Sequence, residues 1–414
     1  MLNALKQVAS LLLGAGILIL GNGLIGIVLP VRMSLEHVPT EFSGLVMSAY
    51  YGGLVCGCLW GQGVISRVGH IRAFAAFAGG VAATTLLFPL WFDPIVWAVL
   101  RIAIGFLMAG LFFTIESWLN LRSSKKTRGQ ILSLYMVTSY LASVLGQMLV
   151  NVWSVKGLEL FSLGAMLLCV SLVPVVLTRV AGPDMDKVAP LSIAKLYRIS
   201  PLGVVASLGS GLISGAFYGM GPVFGAEIGM SVFVISVFMG ITLLGGLVMQ
   251  WPIGLLSDKF DRRTVLLAVL IAIATTSLLE YALSRTSHAT TSVLIMTGLF
   301  GGCAATVYPL AVAHAFDYVE RDHMVAASAG MLLSWSIGAT AGPLLAALMM
   351  SHGNDWALFL YLAGVSGALA AFTRYRMGRR VALPSAEQAK FAPRGEGNVA
   401  GTLDPRAKPA KVAA

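Results

Sequence analysis

Two stretches of this chain, GLIGIVLP at 23–30 and GAFYGMGP at 215–222, each begin on glycine, end on proline and lie 192 residues apart. At the same offset Gly53 falls on Gly245, Gly110 on Gly302 and Thr114 on Thr306, and the basic turn at Arg67 and His70 falls on Lys259 and Arg262. One uninterrupted offset through separate stretches marks a duplicated chain, since chance matches of Gly and Pro would not keep step. Duplication in a long apolar chain points to a secondary-transport scaffold, in which two pseudo-symmetric halves rock about a site held between them.

Composition fixes the solvent. The chain is 57% hydrophobic and 11% charged, where a soluble protein carries about 25% charged residues. Few charges leave room for many apolar runs of roughly 20 residues, the length that crosses ~30 Å of hydrocarbon. Twelve spans are predicted, at 8–31, 42–65, 73–92, 95–119, 130–153, 158–180, 201–225, 231–256, 264–284, 291–317, 324–350 and 355–376. All are expected to be helices, because lipid-facing backbone must satisfy its own hydrogen bonds. The fold class is thus all-α integral membrane, two pseudo-symmetric six-helix bundles. Residues 1–180 form the first bundle, 181–200 a polar cytoplasmic connector, 201–376 the second bundle and 377–414 a cytoplasmic tail. The connector is partly amphipathic, as a segment lying on the membrane surface would be. From about 382 the tail turns to Ala, Pro, Gly, Lys and Glu, and disorder is expected there.

Basic residues set the orientation. With a cytoplasmic N-terminus, 24 of the 28 Lys and Arg residues fall on inside segments, and only Arg32, Arg101, Lys156 and Arg285 lie on or near the outer side. The positive-inside bias therefore places both termini in the cytoplasm. The net charge of +10 is a topology signal, and no nucleic-acid partner is implied. The first apolar run is longer than a signal-peptide core, lacks a small-x-small cleavage site and has a counterpart in span 7, so it is a retained span. Cys56, Cys58, Cys169 and Cys303 all fall inside spans. Cys56 and Cys58, two apart on a helix, point to nearly opposite sides and make a poor metal pair. No metal or cofactor is expected.

The strongest local motif is GLLSDKFDRR, Gly254 to Arg263, which joins spans 8 and 9. It resembles the loop signature of the major facilitator superfamily, G-x-x-x-D-[RK]-x-G-[RK]-[RK], through Gly254, Asp258, Lys259, Arg262 and Arg263. Asp261 stands where the second Gly usually sits. The first-half copy, QGVISRVGHIR, keeps Arg67, Gly69 and an offset Arg72 but has Ser66 in place of the acid. A carboxylate on such a loop can sit against the positive N-terminal end of a neighbouring helix, and spans 5 and 11 both begin on that side. Asp258 is thus a candidate conformational latch. With GNG in span 1, ESWLN closing span 4, QWPIGLLSD ending span 8 and YPLAVAHA in span 10, residues 1–376 are similar to the YcaD-like branch of the superfamily. That resemblance implies that spans 1, 4, 7 and 10 line a central cavity, with spans 2, 5, 8 and 11 flanking it and 3, 6, 9 and 12 facing lipid.

Polar groups inside a membrane are costly and each needs a reason. Arg101 lies about two turns below the outer end of span 4 and Glu116 near its inner end, fifteen residues on, so roughly 22 Å apart along the axis and within about 60° of one face. Both could look into one cavity. The repeat maps them to Val293 and Tyr308, so neither belongs to the shared scaffold; snorkelling to headgroups for Arg101 and an inner salt bridge for Glu116 are the alternatives. In span 10, Tyr308, His314 and Asp317 follow; His314 and Asp317 are i and i+3, close enough to interact and exchange protons or simply to cap the helix end. Asn22 and Tyr218 add hydrogen-bonding groups on spans 1 and 7. Gln250-Trp251-Pro252 closes span 8, with Pro252 expected to kink it. GATAGP, Gly338 to Pro343, lets span 11 pack closely and bend. Span 5 offers Ala142-x-x-x-Gly146-Gln147 without the Gly-Pro typical of the superfamily's antiporters.

The sequence carries no HExxH, nucleophile elbow or Walker loop, which argues against an enzyme or ATPase, and two six-helix repeats do not resemble an ion channel. The expectation is a monomeric secondary active transporter of a small organic solute in the cytoplasmic (inner) membrane, coupled to protons, with export favoured over uptake by family analogy. A proton-coupled nutrient-uptake symporter and a non-transporting sensor on the same scaffold are the alternatives. Topology reporters fused at Asp93, Gly157 and His352 should read outside, and fusions at Lys125 and Pro190 inside; a consistent inversion of that pattern refutes the orientation.

Overall fold

The computed structural model describes residues 2–122, 127–177, 191–284, 289–320 and 323–380, with Leu383, Gln388 and Phe391. Among these residues there is no strand. Twelve helices are long and apolar enough to cross a membrane. In the first half they are Val8–Leu35, Thr40–Gly61, His70–Leu90, Pro94–Asn120, Gly129–Asn151 and Glu159–Val176. In the second they are Pro201–Glu227, Val232–Lys259, Arg262–Leu283, Thr291–Phe316, Met324–His352 and Ala357–Met377.

Span 6 is broken, with helical pieces at Glu159–Val170 and Leu172–Val176. Pro174 explains the break: it has no N–H to give the carbonyl four residues back, and its ring crowds that carbonyl. Prolines 30, 222, 252, 309 and 343 sit inside helices that run through unbroken. Of the connector, 181–190 lies outside the described residues. The remainder starts a short helix, Ile193–Ile199, capped by the Ser192 hydroxyl, which accepts from Lys195 N at 3.3 Å. Leu191 N donates to Ala326 O at 3.0 Å and Leu196 is buried, so this part is tied to the start of span 11 rather than simply resting on a membrane surface.

The packing repeats as the sequence does. Spans 1 and 5, 2 and 4, 3 and 4, and 3 and 6 pack together, and so do their counterparts 7 and 11, 8 and 10, 9 and 10, and 9 and 12. The shared glycines show why. A Cβ on Gly53 of span 2 would strike the Ile102 carbonyl of span 4, and one on Gly245 of span 8 would strike the Gly298 carbonyl of span 10. Lipid offers no hydrophobic drive for helix association, so close backbone contact between small residues has to supply it.

The halves meet chiefly along spans 2 with 11 and 5 with 8, a pair of contacts that the repeat exchanges. Their hydrogen bonds lie toward the face remote from the helix 1 start: Leu344 N to Ser48 Oγ at 3.1 Å and Asn151 Nδ2 to Ser236 Oγ at 2.9 Å. Nearer the middle, Gln250 Nε2 donates to the Tyr140 hydroxyl at 3.0 Å.

Leucine at Gly53 or Gly245 should destabilise the purified protein by at least the ~1–3 kcal/mol of a core overpacking, because backbone cannot move aside as a side chain can. Gly79, where a Cβ would meet nothing within 4 Å, should accept alanine with almost no effect. Thermal unfolding in detergent measures all three variants, and equal melting temperatures would refute the backbone-contact account.

Candidate functional site

Between the halves lies a cavity of ≈ 250 Å³ walled by spans 1, 2, 4, 5, 7, 8 and 11. Three residues singled out from sequence, Asn22, Arg101 and Tyr218, stand in its wall. Arg101 is 4% exposed, with its guanidinium carbon 4.4 Å from the centre of the Tyr50 ring. Asn22 is a hydrogen-bonding neighbour of the same tyrosine. The rest of the wall mixes aliphatic, Met and Gly residues with aromatic and polar ones, among them Tyr51, Trp335, Ser139 and Gln147.

Glu116 is buried but is not in that wall; its electrostatic neighbours are Cys58 and Tyr135. The single cavity face suggested for Arg101 and Glu116 is therefore realised by Arg101 alone. Tyr308 is also outside the wall and 1% exposed, packed edge-on against Trp335 with ring centres 6.2 Å apart. Among the described residues span 10 contributes nothing to the cavity, and spans 2, 5, 8 and 11 contribute more than a flanking role would. Trp335 from span 11 occupies the wall in front of which Tyr308 was expected.

The loop between spans 8 and 9 organises a second cluster. Arg262, 1% exposed, donates through Nη1 to both Asp317 oxygens at 2.8 and 2.9 Å and to the Ala313 carbonyl at 2.8 Å. The i, i+3 spacing suggested Asp317 as the partner of His314, but a fixed guanidinium cation makes the stronger, charge-assisted bonds. His314 is buried and lies edge-on to Tyr318 with ring centres 5.3 Å apart. At the equivalent place in the first half the link is neutral: His70 Nε2 lies 2.8 Å from Ser117 Oγ of span 4. The duplication kept the position and changed its electrostatics.

Asp258 is held differently from the helix-end contact expected of it. Its Oδ1 accepts from the backbone N–H of Phe391 at 2.6 Å and lies 3.7 Å from Arg262 Nη2. Phe391 packs over Gly254, where a Cβ would meet its ring at 2.6 Å. The tail was expected to be disordered from about 382; Phe391 is an ordered, docked point in it, because Gly254 leaves a ring-sized space beside an acceptor. The remainder of 381–414, apart from Leu383 and Gln388, lies outside the described residues. Lys259 is exposed.

Asp261, the departure from the loop signature, caps span 9 by accepting from Arg263 N at 3.0 Å and pairs with the Arg263 guanidinium at 2.8 Å. Burial pushes its carboxyl up, but these bonds from Arg263 outweigh that and hold it below the usual carboxylate range. Also unforeseen was Glu280 of span 9, fully buried, accepting from the Thr297 hydroxyl at 3.0 Å; an acid inside an apolar span was the signal that could have found it.

A cavity walled by helices of two repeated bundles is the arrangement of a membrane transporter of the twelve-helix repeat class. The model of the Major Facilitator Superfamily matches residues 11–279 and 199–402. The chain is 30% identical over 367 residues to the uncharacterised MFS-type transporter YcaD of Escherichia fergusonii, covering 87% of this chain and 93% of that protein. The YcaD of Escherichia coli strain UMN026 matches to the same extent. In fold it is similar to the nucleoside transporter NupG, with a TM-score of 0.73 at 14% identity over 89% of this chain and 98% of that one. It is similar also to the human organic anion transporter MFSD10, with a TM-score of 0.60 at 17% identity over 89% and 99%. This chain belongs to the Major Facilitator Superfamily. It is a multi-pass membrane transporter, and its family implies a small-molecule substrate.

The Asp261 arrangement predicts a pH signature. A carboxyl with a lowered folded-state pKa contributes stability above its unfolded value, about 3.9, and loses it as pH falls through the folded value. The melting temperature of Asp261→Asn should fall below wild type at pH 7, and the gap should narrow as pH drops from about 5 toward 3. A gap that stays constant across that range refutes the assignment.

Proposed function

We propose that the chain is a monomeric secondary active transporter that carries a small organic solute across the cytoplasmic membrane by alternating access, with both termini in the cytoplasm. Protons drive it, and export is its direction. The observation that carries this is the central cavity, walled by both repeats and bordered on one side by the span 2 with 11 and span 5 with 8 contacts. Rigid bundles joined by a few hydrogen bonds such as Leu344 N to Ser48 Oγ can part on one side and close on the other.

Glu116 is the proton carrier in this scheme. It is a buried carboxylic acid on a cavity-forming helix and lies outside the repeated scaffold. A carboxylate in a low-dielectric setting has its charged form disfavoured and exchanges protons as its surroundings alternate. Asp317 is the anchor for Arg262, and Asp258, joined to Arg262 and to the tail at Phe391, is the latch that the rocking must loosen.

A thermal-shift screen of the purified protein supplies a ligand, and counterflow of that ligand labelled in proteoliposomes tests transport; binding without exchange would identify a sensor. Glu116→Gln should abolish accumulation driven by a proton gradient while leaving gradient-independent exchange. Asp258→Asn should slow turnover in a folded protein. Asp317→Asn should instead lose about 3–5 kcal/mol of stability, since it removes the nearer and more buried of the two carboxylates that face the Arg262 guanidinium. Normal proton-driven accumulation by Glu116→Gln would move the coupling site elsewhere.

A further inference from the structure

Every other deeply buried arginine side chain among the described residues has an acid beside it. Arg262 has Asp317 at 2.8 Å and Arg263 has Asp261 at 2.8 Å; even the less buried Arg32 has Glu36 at 3.0 Å. Arg101 has none among those residues. Its polar contact is Nη2 to the Met47 sulfur at 3.9 Å, a weak acceptor, and its Nε has no hydrogen-bond partner. The other support there is the face of Tyr50. A guanidinium cannot shed its proton to escape this setting, and burying an unpaired charge is strongly unfavourable. Arg101 stands in the wall of the central cavity, and among the described residues no carboxylate lines that cavity. Snorkelling to headgroups is not its solution either, because it is 4% exposed.

We infer that the missing counter-charge is the substrate: the cavity takes a compact aromatic or heteroaromatic organic monoanion, its carboxylate seated on Arg101. This rests on the transport function proposed above and names the substrate class for the same cavity. Three further features shape the ligand. Tyr50 and Tyr51, with ring centres 5.3 Å apart, and Tyr51 and Trp335, 6.0 Å apart, form a continuous aromatic wall against which a planar ring packs. Gln147 of span 5 also lines the cavity, and its Oε1 is a buried acceptor without a partner, so the ligand brings a hydroxyl or N–H donor. At ≈ 250 Å³ the cavity is smaller than the ~300–1,000 Å³ of pockets for drug-sized ligands, which limits the solute to about one ring with short substituents. A single cation in the wall selects a single negative charge, since a second one would be buried unpaired.

The probe is 4-hydroxybenzoate, which has the ring, the carboxylate and the donor, compared on the wild-type protein with its neutral isostere 4-hydroxybenzamide, with 4-hydroxybenzylamine and with acetate. Isothermal titration should show binding of the benzoate, weaker binding of acetate and none of the amide or the amine. Arg101→Gln should weaken the benzoate about thirtyfold or more, as truncating one partner of a buried charge pair does, and Arg101→Lys should fall between. Failure of the wild type to prefer the acid over the amide, or to bind it at all, overturns the inference without need of any variant. An unchanged affinity in folded Arg101→Gln also overturns it. Counterflow in proteoliposomes separates the two claims: Arg101-dependent binding without exchange keeps the anion site and removes the transport function. Exchange of a neutral or cationic solute unaffected by Arg101→Gln keeps transport and removes the anion site.

Discussion

A charge inside a membrane protein is costly unless an opposite charge or strong dipoles lie beside it, and the second half of this molecule is arranged around that constraint. Arg262 reaches from the first turn of span 9 to the end of span 10, where Asp317 and the Ala313 carbonyl receive it. Asp258 lies on its other side, and through Asp258 the last turn of span 8 and the tail residue Phe391 join the same network. One guanidinium thereby ties three helices and the tail on one face. The first half meets the same junction with the neutral contact of His70 and Ser117, so the two repeats share geometry while differing in how firmly charge holds it.

The contacts within the halves and between them differ in balance, although Gly44 of span 2 also packs closely on span 11 across the seam. Within each half, glycines place backbone on backbone, as at Gly53 against Ile102 and Gly245 against Gly298; such contacts have no side chain to yield and make each bundle stiff. Across the halves the hydrogen bonds involve side chains, Ser48, Asn151 and Ser236 toward one end and Gln250 with Tyr140 nearer the middle. A structure with stiff bundles and separable seams suits motion of one body against the other around the cavity, the arrangement that alternating access requires.

The cavity itself differs from what family geometry implies. Its wall draws on spans 2, 5, 8 and 11 as well as 1, 4 and 7, and Trp335 of span 11 takes the place in which span 10 would present Tyr308. Aromatic rings on adjacent helices decide this, because each fills a volume that a neighbour can then no longer reach.

Sequence alone determined the class of this protein. The 192-residue offset, the length and apolarity of twelve runs and the loop signature at Gly254 to Arg263 each follow from one-dimensional constraints: lipid thickness, backbone satisfaction and a duplicated chain. Asn22, Arg101 and Tyr218 were legible as cavity candidates for the same reason, since polar groups in a span must point somewhere other than lipid. Partner choice was not legible. Nothing in the spacing of His314 and Asp317 reveals that Arg262, 55 residues away, claims the carboxylate, or that Phe391, 133 residues away, caps Asp258. Nor does it reveal that Arg101 has Tyr50 beside it and, among the described residues, no acid. Which charges meet depends on how helices distant in sequence turn toward one another, and only packing in three dimensions fixes that.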